Sequence, residues 1–94
     1  MPGVIVNYRV ADFDAFLTVF QQNAEERKAA GMRNVILWQA AGDPNHVFIV
    51  MEGDDLEKLR EFDASDELEQ ILKLAGVITP PQVHYLEKVH YFPY

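Results

Sequence analysis

Ninety-four residues with a net charge of −7 and no cysteine make a single domain (residues 1–94) held by neither a disulfide nor a thiolate metal site. A chain this short buries only about 60 to 65 % of its unfolded surface, so a partner subunit is the expected reinforcement. The excess acid repels phosphate backbones and anionic lipid, which argues against nucleic-acid and membrane partners. The longest apolar run, Val47 to Met51, is far below the roughly 20 residues a bilayer requires. With no signal-like segment at the N-terminus, the expected location is cytoplasmic.

In chain order, Val4, Val6, Tyr8 and Val10 alternate with Ile5, Asn7 and Arg9, the period of a strand over Gly3 to Val10. Asp12 stands at an N-cap position. Phe13, Phe16, Leu17, Phe20 and Ala24 then recur at helical spacing until Arg27 and Lys28 close the last turn before Gly31. Arg33 to Ala41 and His46 to Glu52 are rich in β-formers and flank the turn cluster Gly42-Asp43-Pro44-Asn45, so they form an antiparallel hairpin.

A second helix starts at Asp54 or Asp55 with Leu56, Leu59 and Phe62 on one face. Its apolar phase then resets to Leu68, Ile71, Leu72 and Ala75, and Asp66 with Glu69 resembles a fresh N-terminal cap. A break near Ala64-Ser65 is therefore expected, and Gly76 ends the helical segment. Nine of the fifteen acids lie between Glu52 and Glu69, which reads as a solvated helix face. Thr79-Pro80-Pro81 is an extended connector, and Val83 to Phe92 reads as the last strand.

The order strand, helix, strand, strand, helix, strand gives an α+β domain of ferredoxin-like βαββαβ topology. Its four-stranded antiparallel sheet carries both helices on one face. A bare sheet face on a monomer calls for alternating polar residues, yet Val35 to Trp38 and Val47 to Met51 are continuously apolar. Burying six outward side chains at roughly 1.5 to 3 kcal/mol each yields on the order of 10 kcal/mol, so the sheet is expected to stack on that of a second copy. The alternative is a C-terminal tail folded back over the sheet.

This pattern resembles small proteins of the dimeric α/β-barrel superfamily. The resemblance rests on Asp12-Phe13-Asp14-Ala15-Phe16 after an aliphatic first strand, Gly31, Gly42-Asp43-Pro44-Asn45, Ser65-Asp66-Glu67-Leu68 and Ala75-Gly76-Val77. That superfamily includes antibiotic biosynthesis monooxygenases, haem-degrading monooxygenases, polyketide cyclases and muconolactone isomerases. The resemblance implies a homodimer whose sheets close a barrel, with a cavity between sheet and helices in each subunit. It further implies a small-molecule ligand and, for a cofactor-independent monooxygenase or cyclase acting on an aromatic or polyketide-like substrate, no cofactor.

Asn7, Arg9, Trp38 and His46 are the catalytic candidates, because such chemistry needs an amide to hold an oxygen, an aromatic wall and a cation or proton donor. Asn7 is a residue type disfavoured mid-strand, so its structural alternative is a hydrogen-bonded irregularity; Trp38 is more often the anchor of a core or interface. Tyr8, Tyr85 and Glu87 are candidates for the substrate pocket, with Glu87 pairing with Lys88 or Arg9 as the solvated alternative. His84 and His90 lie about 20 Å apart along an extended strand, so no shared metal is expected. The sequence holds no phosphate-binding glycine loop, nucleophile elbow or paired-carboxylate motif, which argues against nucleotide and serine-type hydrolysis. A non-catalytic ligand-binding or dimerisation module is the competing function.

Overall fold

A computed structural model describes residues 2–94. Strand β1 (Pro2–Arg9) is followed by helices α1 (Phe13–Gln22) and α2 (Ala24–Ala29), and then by the hairpin of β2 (Met32–Ala40) and β3 (Asp43–Gly53). Helices α3 (Leu56–Asp63) and α4 (Asp66–Leu74) lead into β4 (Gln82–Glu87). The sheet is antiparallel throughout, in the order β2-β3-β1-β4. The expected α+β topology is therefore present, with the helices packed on one face.

The core lies between that face and the helices. Val4, Val6 and Tyr8 of β1 and Val47, Ile49 and Met51 of β3 are buried with Phe16 of α1 and Leu59 of α3. Their strand positions alternate, as the two-residue period of a pleated strand demands. Among the described residues, no helix is long and apolar enough to cross a membrane.

Four expectations are corrected. The first helical segment is two helices, because Asn23 turns its side chain back and donates Nδ2–H to the Val19 carbonyl at 2.9 Å. A side-chain amide that offers the backbone an alternative partner is a local cause of such breaks. The hairpin turn is tighter than Gly42 to Asn45: Ala40 pairs with Asp43, leaving a two-residue loop in which Gly42 has φ 80°. Only glycine adopts that backbone without strain.

The cap of α4 is Ser65 rather than Asp66. Its Oγ accepts from Leu68 N–H at 3.2 Å while donating to the Phe62 carbonyl at 2.8 Å, so one hydroxyl joins the end of α3 to the start of α4. Finally, β4 stops at Glu87, which pairs with Pro2. Residues 88 to 94 carry no regular secondary structure. Val89, Tyr91 and Tyr94 stand exposed instead of folding back over the sheet.

Candidate functional site

Two adjoining recesses bear on the candidate residues, and Tyr8 and Pro81 line both. The first lies inside the domain, between sheet and helices, with a volume of about 100 Å³. Carbon dominates its walls: Phe16 and Phe20 from α1, Phe62 from α3, Met32 and Met51 from the hairpin. Phe16 meets Tyr8 edge-on at 5.7 Å and Phe20 at 5.6 Å between ring centroids, spacings at which aromatic rings attract.

Four polar side chains line this carbon-rich space: Asn23, whose amide donates to the Val19 carbonyl, and Tyr8, Arg27 and Asp63. Tyr8, only 4 % exposed, points inward from β1, and burial pushes its hydroxyl well above the ordinary phenol value, with the Arg27 charge opposing. Arg27 of α2 lays its guanidinium 3.8 Å from the Phe20 ring centroid and donates Nη1–H to the Phe20 carbonyl at 2.6 Å. That carbonyl lies in the last turn of α1 and also accepts Asn23 N–H at 3.3 Å, so the cation adds a second donor at the helix end. Burial lowers the Arg27 proton affinity, and the guanidinium makes no ion pair among the described residues.

Asp63, the last residue of α3, is the fourth. Tyr85 of β4 donates its hydroxyl to Asp63 Oδ2 at 2.6 Å. Burial raises the Asp63 carboxyl above its usual range against the lowering effect of that hydrogen bond, while burial and the adjoining carboxylate push Tyr85 up to about 12. A half-buried carboxylate with raised proton affinity, fixed by a phenol and facing an apolar space, is equipped to accept a proton from a weak carbon or oxygen acid.

The second recess is an open depression of about 430 Å³ on the bare face, lined by Asn7, Arg9, His46, Thr79, Pro80 and Gln82 among others. Asn7 Oδ1 lies 3.3 Å from His46 Nε2, and Asn7 Nδ2 reaches Gln82 Oε1 at 3.4 Å. Arg9 Nη1 pairs with Asp43 Oδ2 at 2.8 Å, and that hydrogen bond holds the Asp43 carboxyl below its usual range. The ladder around Asn7 is regular, with Phe48 and Gln82 as its cross-strand partners.

Asn7, Arg9 and His46 are thus brought together on the sheet face away from the helices, next to the first recess, with which theirs shares Tyr8 and Pro81. Trp38 shares that face and the row of Phe48 and Asn7, at the other side of the hairpin. Of the pocket candidates, Tyr8 lines the cavity and Tyr85 reaches it through Asp63. Glu87 ends β4 in a shallow depression with Pro2, Leu56 and Lys88, away from both recesses. Lys88 pairs with Glu52 at 3.6 Å and Arg9 with Asp43, so neither is the partner of Glu87.

Arg27 and Asp63 are the cavity residues that sequence reasoning missed. Both carried a signal: Arg27 lies seven residues beyond Phe20, and Asp63 seven beyond Leu56 and four beyond Leu59, each continuing an apolar stripe. A charge at a core-facing phase is the feature that marks them.

No family model and no curated protein matches the chain. Solved structures do resemble it. One is an antibiotic biosynthesis monooxygenase with a TM-score of 0.74 and 19 % identity, covering 96 % of this chain and 100 % of that one. A protein of Bordetella bronchiseptica assigned to the antibiotic biosynthesis monooxygenases has a TM-score of 0.78 and 22 % identity, covering 95 % and 97 %. SnoaB, a cofactor-independent oxygenase from Streptomyces nogalater, has a TM-score of 0.79 and 13 % identity, covering 99 % and 97 %. The chain has the ferredoxin-like fold in which antibiotic biosynthesis monooxygenases are built.

Proposed function

We propose that the protein is a cytoplasmic homodimer of α/β-barrel type that acts as a cofactor-independent monooxygenase on an electron-rich aromatic substrate held between sheet and helices. The observation that carries this reading is the cavity itself: aromatic walls with a cation at Arg27, a phenol at Tyr8 and a proton acceptor at Asp63. Likeness in fold to a cofactor-independent oxygenase supports it.

In this reading Asp63 removes a proton from an acidic CH₂ or phenolic group, and Arg27 with Tyr8 stabilises the resulting enolate or phenolate. The anion gives one electron to dioxygen, and the radical pair combines to a hydroperoxide at carbon. Loss of water then leaves a carbonyl, so a CH₂ group and O₂ become C=O and H₂O. Apolar walls keep solvent from the anion and strengthen its attraction to Arg27. Asn7, Arg9, Trp38 and His46 serve the pairing of two copies at the bare face.

A second reading, a non-catalytic binding or dimerisation module, is favoured by the apolar bare face, where Ile36 and Trp38 are 48 % and 57 % exposed. Oxygen uptake in air with anthrone-type and hydroquinone substrates separates the two. The monooxygenase reading expects turnover that falls about 100-fold or more in Arg27→Met, the scale on which losing an oxyanion-stabilising donor acts, and persists in Asn7→Ala. Turnover that survives Arg27→Met and disappears in Asn7→Ala places the chemistry on the bare face. Tight binding without turnover establishes the module.

A further inference from the structure

The charge and the size of the cavity together restrict what it holds. We infer that its ligand is a single-ring aromatic anion, of benzoate or phenolate type, whose charged oxygen is received by Arg27. The inference rests on the cavity being the binding site, as proposed above, and goes further by naming the class of molecule.

Size sets the first limit. A dry apolar cavity of about 150 Å³ holds one benzene molecule, and the interior of this recess, which is partly open to solvent, offers about 100 Å³. One ring enters if flexible walls give slightly, and Met32 and Met51 are the side chains suited to that because an unbranched thioether repacks at little cost. Two or three fused rings need space now filled by Phe16 and Ile49, which are 1 % and 4 % exposed and packed into the core. Interiors packed to crystal-like density do not yield such volume without displacing whole elements.

Charge sets the second. A guanidinium has five N–H donors, and Arg27 places one nitrogen on the Phe20 carbonyl at 2.6 Å with no carboxylate partner among the described residues. Asp63, the one carboxyl among the lining residues, is engaged by Tyr85. A half-buried cation on which the carboxylate of Glu26 acts without a direct ion pair carries a cost only partly compensated, and an entering anion adds short charge-assisted hydrogen bonds. An uncharged ligand of the same shape leaves the cost in place. With the molecule carrying a net charge of −7, Arg27 is the local feature that turns general repulsion of anions into selection of one. The rings of Tyr8, Phe16 and Phe20, at 5.6 to 5.7 Å spacings, supply edges and faces for the aromatic body.

The test is calorimetric titration with benzoate, its uncharged isostere benzamide, 2-naphthoate and anthracene-9-carboxylate, with the methyl resonances of Met32 and Met51 reporting where each binds. The expected result is benzoate bound at least tenfold more tightly than benzamide and than either fused-ring acid, with both methionine methyls shifted. Arg27→Met should abolish the preference for benzoate over benzamide, and Arg27→Lys should keep part of it. The comparison on the unaltered protein stands even where a variant fails to fold. Equal affinity for benzoate and benzamide overturns the role of charge, and tighter binding of 2-naphthoate overturns the size limit. Turnover of an anthrone-type substrate without benzoate binding overturns the ligand class and leaves the monooxygenase reading standing; neither binding nor turnover overturns both.

Discussion

Asp63 shows what one residue adds to this fold. Its carboxyl sits where Leu56 and Leu59 set an apolar stripe, and burial raises its proton affinity in the folded chain. The native state therefore binds that proton more tightly than the unfolded state. The contribution to stability is fullest below the ordinary carboxylate range and declines as pH rises through the folded value. Asp63→Asn keeps an oxygen for the Tyr85 hydroxyl and removes the titration. Urea denaturation of both proteins between about pH 4 and 6 should show the stability of the variant, relative to the parent, rising with pH; a constant difference contradicts the raised carboxyl. The phase shared with Leu56 and Leu59 was its one signal in the sequence, outweighed there by eight neighbouring acids that read as a solvated face until β4 is placed beside it. Tyr8 was legible because strand alternation puts it on the same face as Val4 and Val6.

At the scale of elements, side-chain caps decide where the helices begin. Asp12 Oδ1 accepts from Asp14 N–H at 3.0 Å, and Asp55 Oδ1 from Glu57 N–H at 2.9 Å, both at positions the sequence marks. Ser65 was hidden by the stronger-looking Asp66, although its hydroxyl does more: it accepts from α4 and donates to α3. Ser65→Ala should cost about 1 kcal/mol, the usual worth of an N-cap, read as a lower urea midpoint at unchanged slope. Asp66→Ala, which leaves the cap in place, should cost clearly less; the reverse order would mean that Asp66 caps the helix after all. The break at Asn23 was illegible because Phe13, Phe16, Phe20 and Ala24 keep one helical phase through it. Only the backward hydrogen bond of the amide reveals it. Strand β4 was read too long because Val89 and the aromatic tail have strand-like character, while the described ladder with β1 pairs only Gln82 to Glu87.

For the molecule as a whole, the fold was legible because each element carries its own period and the hairpin fixes the order of strands. The cavity between sheet and helices was not, since it depends on which charged residues the helices turn inward. The bare face is the clearest consequence of the sequence: Ile5, Ile36, Trp38, Phe48, Val50 and Leu86 fall on one side by the register of four strands, with Asn7, His46 and Arg9 at one corner. Covering those six side chains contributes on the order of 10 kcal/mol before the entropy of association is subtracted. Left open, they form the kind of patch that drives aggregation. The barrel, and with it the proposed function, depends on two sheets stacking there. Sedimentation equilibrium at micromolar concentration tests this most directly. The unaltered chain should sediment at twice its 10.8 kDa subunit mass, and Trp38→Glu should move it toward a single subunit. A well-folded 10.8 kDa monomer in the unaltered protein would contradict it.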